Sequence, residues 1–331
     1  MWRYTLRRLS FLPLIMVGVS IITFILLRVL PGDPAVLMAG QGASPEQIAA
    51  IRTDLGLDAA IFPVTVNSTV PFVELHGENQ FFNWVGDLSR GDLGKRFYDK
   101  SDVLSQVKRR FPASAQLVLM SLTVSVIVGV SFGVISAVMR NSPLDYFVRI
   151  FAVFGQSIPD FFLLILLIVI PSILWNYAQP PGGYVSPMTD LWRNLELFGP
   201  PSLILGFAGA AGIMRLQRTT MLEVLRSDFV RTARAKGMAG PSVIMNHAFR
   251  NTLAPLITVI GTSFTLIFGG SVIAERILGI EGLGVFFLES AIQRDFPVVQ
   301  FLVIYTATVV VIANLIVDLS YAYIDPRVRY R

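Results

Sequence analysis

The chain has no cysteine, and its only histidines, His76 and His247, lie far apart among 331 residues. Thiol nucleophiles, disulfides, iron–sulfur clusters and cysteine-ligated zinc are therefore excluded within it. Neither histidine has a companion at ligand spacing, so no metal site and no intramembrane metalloenzyme is suggested. Charge is also scarce, at 15% of residues, where soluble domains carry about 25%. A chain this long could form two or three soluble domains, but their surfaces would need more charge than this. A Gly-rich phosphate loop is missing as well. Ala235-Lys236-Gly237 has a Lys-Gly pair but no upstream glycine cradle, so no ATP site is evident.

What the chain has instead is apolar residues, 53% of the total, with a mean hydropathy of +0.64. They fall in long runs. A span needs about 20 apolar residues to cross roughly 30 Å of hydrocarbon. Six windows qualify: Phe11–Leu27, Pro112–Met139, Phe154–Trp175, Leu197–Met214, Asn251–Ala274 and Phe296–Val317. Short alternating segments of the β-barrel kind are not seen. The expected fold is an all-α polytopic membrane protein with six transmembrane helices. The first span has a basic start, but Arg28-Val-Leu-Pro-Gly-Asp33 follows it in place of a small-residue cleavage site, so it reads as a retained anchor.

The net charge of +5 is unevenly spread. Arg3, Arg7, Arg8, Arg140, Arg149, the seven bases between Arg215 and Arg250, and Arg327, Arg329 and Arg331 fall on one set of segments. The other set is net acidic, and Arg28, Asp160 and Asp318 sit at or in spans. Basic bias puts the first set, with both termini, in the cytoplasm. The organisation expected is a cytoplasmic N-terminus and first span over 1–30, an extracytoplasmic segment over 31–111, and a five-helix core over 112–331. That core contains a cytoplasmic segment at 215–250. Pro180-Pro181-Gly182-Gly183 marks the turn of a further external loop.

The 215–250 segment reads as a helical hairpin. Met221, Leu222, Leu225, Phe229 and Ala233 share a face, and neither proline nor glycine interrupts Ile213–Lys236. Gly237 allows a break, and Gly240-Pro241 starts a second helix running to about Asn251. A solvated hairpin would leave an unexplained apolar patch. Docking into another protein accounts for it, whereas continuity with a span argues against nucleic-acid binding.

Glu223-Val-Leu-Arg-Ser-Asp-Phe-Val-Arg-Thr-Ala-Arg-Ala-Lys-Gly237, followed by His247-Ala-Phe-Arg-Asn251 and Pro255, resembles the EAA loop of binding-protein-dependent ABC importer permeases. More narrowly, the chain resembles the first permease of the dipeptide/oligopeptide/nickel group. Pro31-Gly-Asp-Pro34, Leu55-Gly-Leu-Asp58, Gly91-Asp-Leu-Gly94, Ser157-Ile-Pro159, Gly270-Ser-Val-Ile-Ala-Glu275, Gly282-Leu-Gly284, Arg294-Asp295 and Tyr323-Ile-Asp-Pro-Arg327 agree in order. Any one string is weak; their shared order across six spans is strong. Glu281 replaces the usual proline before Gly282, glycine stands at 240 where a polar residue is common, and residues 61–77 read as an insertion. That insertion can contact a binding protein, line an outer vestibule, or simply lengthen a loop.

The resemblance implies a type I ABC importer permease fold, N-in and C-in, in a bacterial or archaeal inner membrane. It implies a second homologous permease, two cytoplasmic ATPases that hold ATP and Mg2+, an extracytoplasmic substrate-binding protein and surrounding lipid, with no cofactor and no catalysis in this chain. Small peptides lead as cargo, with nickel chelates or oligosaccharides as alternatives; a secondary transporter is the rival class. The coupling candidates are Glu223, Asp228, Arg231, Ala233, Arg234, Lys236, Gly237, His247, Arg250 and Asn251. Glu223 can pair with Arg226, Arg231 or Arg234 or be merely solvated, and Arg234 and Lys236 can equally be topology markers. Pathway or gate candidates are Ser157, Pro159, Asp160, Gly269, Gly270 and Ser271, where Asp160 can also be a solvated edge and the small residues can serve helix packing. Asp33, Glu275, Arg276 and Asp295 are candidates for extracytoplasmic contact, with local capping the alternative.

Overall fold

The computed structural model describes residues 2–29, 32–61, 64–66, 73–75, 79–177 and 183–324. The expected turn at Pro180-Pro181-Gly182, Pro31, most of the insertion with His76, and the basic C-terminus at Arg327, Arg329 and Arg331 lie outside them. Thirteen α-helical segments and one strand pair are described: α1 (Trp2–Val29), α2 (Pro34–Ala39), α3 (Pro45–Asp54), β1 (Val64–Val66), β2 (Val73–Leu75), α4 (Gln80–Ser89), α5 (Val103–Val138), α6 (Pro143–Ser157), α7 (Asp160–Trp175), α8 (Leu191–Leu225), α9 (Asp228–Ala235), α10 (Gly240–Ser242), α11 (Arg250–Leu278), α12 (Leu283–Gln293) and α13 (Phe296–Ile324). A π-helical stretch, Val243–Phe249, joins α10 to α11. Inside the insertion, β1 and β2 pair antiparallel, Thr65 opposite Glu74.

Among the described residues five helices are long and apolar enough to cross a membrane, and six spans result if the bent pair α6 and α7 counts as one. The expected third span, Phe154–Trp175, is thus not one straight helix. The chain turns by 92° between Ser157 and Asp160. The cause is Pro159, which lacks an N–H and drives the residue before it out of the α region; Ile158 has ψ 122°. Phe154–Ser157 belong instead to α6, which begins at Pro143 under a Ser142 cap that accepts from Asp145 N.

The chain divides into two compact units, one of residues 1–9, 111–285 and 310–331, the other of residues 10–110 and 286–309. In the first, α8 is the most buried of the candidate spans, at 56% of its apolar window. It crosses α5 closely. A Cβ on Gly129 or Gly133 would come within 2.7 Å of Ile213 or Gln217 side chains, and Ser125 Oγ donates to Gly206 O across the same crossing at 2.7 Å. Small residues let two backbones approach where lipid gives no hydrophobic drive between helices. Leu117, Leu164, Phe198, Leu205 and Ala274 form a core joining α5, α7, α8 and α11.

In the second unit, Phe24 of α1 packs edge-on to Phe81 and stacks with Trp84 of α4. α3 starts in a capping box, Ser44 with Gln47, and Pro45 occupies its first turn.

Candidate functional site

The hairpin between α8 and α11 is built from local sequence signals. α8 does not run through to Lys236. It stops at Leu225, and Ser227, in extended backbone, starts α9. The Ser227-Asp228 pair is a helix-start signature that explains the break. α9 puts Val230 and Ala233 against Val243, with Val224 and Leu225 completing a small apolar core. Gly237 then ends the helix. Its φ is +77°, a left-handed conformation, and its N–H donates to Arg234 O at 2.9 Å. The second arm does not finish near Asn251 as expected; it passes through the π-helical stretch straight into α11. The hairpin therefore sits between two candidate spans with no flexible linker on the α11 side.

Among the coupling candidates, Glu223, Asp228, Arg231, Arg234, Lys236, Gly237, Arg250 and Asn251 are exposed, Ala233 is buried and His247 is half-buried. His247 Nε2 lies 3.2 Å from Met238 Sδ, and Asn251 Nδ2 donates to His247 O at 2.5 Å. Arg231 pairs with Asp228 at 3.6 Å, both well exposed. Glu223 makes no ion pair within 4 Å among the described residues. Phe229, Met238 and Met245 are exposed beside these charges. The exposed charged side chains of this segment are thus mostly basic, with Glu223 and Asp228 as the acids and three large apolar residues among them.

A second cluster was not legible as a site. Asp145, with no exposure, receives Arg218 in a two-pronged contact, Nε to Oδ1 at 2.8 Å and Nη2 to Oδ2 at 2.9 Å. Ser136 Oγ donates to Asp145 Oδ1 at 2.5 Å and Asn141 N to Oδ2 at 3.0 Å. One carboxylate so ties together the end of α5, the start of α6 and α8. Asp145 and Arg218 stand 73 positions apart, and only their opposite charge hints at pairing.

Pro159, Asp160 and Gly270 line one cleft of about 580 Å³ with Gly155, Ile158 and Ile273. Ser157, exposed, turns its hydroxyl to Val153 O, and buried Ser271 turns its own to Phe268 O. A Cβ on Gly269 would meet nothing within 4 Å, and one on Gly270 only Leu205 at 4.0 Å. Tight helix packing falls instead to glycines such as Gly129, Gly133, Gly206, Gly209 and Gly261, and Gly269 and Gly270 leave space open.

The candidates for external contact divide. Arg276 is exposed. Asp33 caps α2 by accepting from Ala35 N at 2.9 Å, and pairs with Arg52. Glu275 and Asp295 have no exposure. Ser114 Oγ donates to Glu275 Oε1 at 2.5 Å, Val285 N to Oε2 at 3.0 Å, and Leu283 N to Ser114 Oγ at 2.7 Å. A Cβ on Gly282 would strike this carboxylate. Glu275 therefore moulds the loop that follows α11 and presents no surface. Asp295 accepts from Phe97 N at 3.2 Å and pairs with Arg96 at 3.3 Å. Burial pushes the Asp295 carboxyl above its ordinary value, against the opposing pull of the Phe97 N–H and Arg96. Among the described residues no group of three or more acidic or histidine side chains could hold a metal ion.

Two family models match the chain. One, the binding-protein-dependent transport system inner membrane component, covers residues 129–330, and its N-terminal counterpart covers residues 1–118. A Brucella abortus permease protein named for a peptide transport system is 38% identical over 329 residues, spanning 98% of both chains. The dipeptide transport system permease protein DppB of Escherichia coli is 33% identical over 355 residues, spanning all of both chains. The oligopeptide transport system permease protein AppB of Bacillus subtilis is 33% identical over 335 residues, spanning 99% of both. Among solved structures, an inward-facing MetNI methionine ABC transporter superposes with a TM-score of 0.52 at 15% identity, over 67% of this chain and 97% of that one. This last likeness is one of fold.

Proposed function

Because the chain belongs to the binding-protein-dependent transport system inner membrane components, as a non-catalytic, multi-pass inner-membrane permease subunit of an ABC importer, we propose that it conducts short peptides inward with a second permease. Two ATPases on the cytoplasmic side would hydrolyse ATP with Mg2+, and an extracytoplasmic binding protein would deliver the cargo. The peptide assignment is supported by the names of relatives that match over nearly the whole chain. Both termini and the α9 hairpin are assigned to the cytoplasm on the basic bias of their segments.

The observation that carries the coupling role is the hairpin's construction. Its apolar core fastens α9 to the arm that becomes α11, and its charged and apolar outer face is left exposed by the described residues. Force applied to α9 would reach α8 directly and α11 through the π-helical stretch, and the Asp145–Arg218 pair would carry α6 along with α8. Packed helices moving as rigid bodies are a common means of such switching. The cleft at Asp160 and Gly270 lies among α6, α7, α8 and α11, so the same movement would reshape it. On this reading Pro159 sets the bend that opens the cleft, and Asp160 places a carboxylate in its wall.

Reconstituted vesicles test the reading. ATP-dependent uptake of a dipeptide panel, dependent on the cognate binding protein, is expected. Uptake confined to a nickel chelate or an oligosaccharide would overturn the peptide assignment and leave the permease assignment intact. Single cysteines suit the topology, since the chain has none. An impermeant thiol reagent should label position 100 and not position 230 in intact cells; the reverse pattern would sink the proposed orientation.

A further inference from the structure

The cleft of about 580 Å³ among α6, α7, α8 and α11 has the size of a small-ligand pocket. Parts of two motifs meet on its wall, Ile158-Pro159 at the bend and Gly270 in α11. The wall carries two polar side chains, Gln156 and Asp160. The rest is apolar, chiefly Phe161, Leu164, Leu266 and Ile273, and among the described residues no base lines it.

Asp160 stands at a helix start without doing a cap's work. It opens α7, where Pro159 holds the cap position and no side chain bonds the first N–H groups. Its carboxylate accepts no hydrogen bond and meets no cation within 4 Å among the described residues. Neither of its oxygens belongs to the buried polar atoms that lack a partner, so both can be reached from outside the protein. Asp145, in the same unit, makes the contrast. It has no exposure, and Arg218, Ser136 and Asn141 meet it. The sealed acid is paired, and the acid that opens on a cleft is not. A carboxylate within a candidate span is costly unless a counter-charge meets it, and apolar surroundings strengthen its pull on a cation. Gln156 is exposed, and its amide too has no partner among the described residues. A free amide offers a donor and an acceptor, the two things a peptide bond can pair with.

We infer that this cleft is an ammonium subsite: the amino terminus of a short peptide sits on the Asp160 carboxylate, its first peptide bond faces Gln156, and its first side chain lies on the apolar wall at Leu266 and Ile273. The carboxyl end of such a peptide finds no basic partner there, so a peptide amide should bind better than the free acid. The inference rests on the reading of this cleft as part of the conducting path, and it narrows the cargo to molecules that carry an ammonium.

The chain has no cysteine, so Ile273→Cys puts its one thiol on the cleft wall. Ile292→Cys, exposed on α12 and away from that wall, is the control. In the assembled transporter without binding protein, the rate of modification by uncharged N-ethylmaleimide is read, and the complex lacking both cysteines is subtracted. Ala-Ala-amide should protect position 273 saturably and leave position 292 unprotected. Acetyl-Ala-Ala-amide, which lacks the charge, should protect at least tenfold more weakly. Asp160→Asn should weaken protection by Ala-Ala-amide at least tenfold, and Asp160→Glu should keep most of it. Because the carboxylate bonds nothing among the described residues, Asp160→Asn should melt no lower than the parent. Protection by acetyl-lysinamide and not by Ala-Ala-amide would overturn the amino-terminal assignment. Equal protection by the acetylated peptide, unchanged protection in Asp160→Asn, or none by either ammonium probe would overturn the subsite. ATP-driven peptide uptake by the parent complex is read separately. Uptake without protection removes the subsite and leaves the transport reading standing, and protection without peptide uptake does the reverse.

Discussion

Two carboxylates without solvent exposure hold two turns of this chain in opposite ways. Asp145, under the α5–α6 turn, meets charge with charge, taking both prongs of Arg218. Glu275, beside the loop after α11, takes hydrogen bonds from the Ser114 hydroxyl and the Val285 amide. The first arrangement gathers two cations, Arg218 and, at 3.6 Å, Arg149, around one carboxylate and so joins distant helices. The second rests on uncharged donors within a compact loop. Two buried acids of similar exposure should therefore fail differently when their partners are changed.

The largest effect should come from Arg218→Met. Removing one partner of a buried pair costs up to about 3–5 kcal/mol, here lessened because Arg149 stays 3.6 Å from the Asp145 carboxylate. Thermal unfolding of the purified complex should show it, and Arg218→Met combined with Asp145→Leu should recover much of the loss. Glu275→Ala comes next. It leaves buried donors unsatisfied, at about 1–3 kcal/mol, while Glu275→Gln, which keeps an acceptor, should cost clearly less. Equal losses in Gln and Ala variants would erase the contrast between the two carboxylates.

Gly237→Ala probes the exposed hairpin. No atom lies within 4 Å of the added Cβ, so the penalty is that of the left-handed backbone, about 1 kcal/mol. Complex assembly should survive while substrate-stimulated ATP turnover falls, and Gly237→Asn should retain more turnover than Gly237→Pro. Asp295 gives a smaller, pH-dependent effect. Its carboxyl is raised by burial, so the folded chain holds the proton more readily than the unfolded chain. Stability should fall as pH rises from the ordinary carboxylate value through the raised one. Melting curves across that range should show the slope, and Asp295→Asn should flatten it. Smallest of all, Arg231→Ala should leave the melting temperature unchanged, because its pair with Asp228 is solvated; any defect there would be confined to docking of the ATPase.

Local signals were legible, and long-range ones were not. Runs of apolar residues placed five of the expected spans on long helices, because hydrocarbon thickness imposes a length on them. Gly237 was legible as a break because a left-handed turn favours glycine. Pro159 was visible but read as an opening to a straight span, when the residue before it could not continue α6. Ser227-Asp228 carried a start signal hidden within an otherwise uninterrupted helical pattern. Asp145 with Arg218, and Glu275 with Ser114, join positions 73 and 161 apart in sequence. Such pairings depend on how helices cross, and no local periodicity encodes them. The cleft at Asp160 gathers residues from four helices and was foreseen only as separate small or acidic positions.

The length of α8 has a mechanical meaning. Its 35 residues extend about 52 Å at 1.5 Å per residue, whereas the hydrocarbon core is only about 30 Å thick. Set upright, roughly 20 Å of helix stands clear of the hydrocarbon core, divided between its two ends. A tilt of about 10° about the membrane surface would sweep the tip of a 20 Å arm through some 3 Å, and a shorter arm through less. The helix is thus a lever whose fulcrum lies in the lipid. What the ATPases would deliver at α9 as a displacement of ångströms, the spans would receive as a rotation of a few degrees.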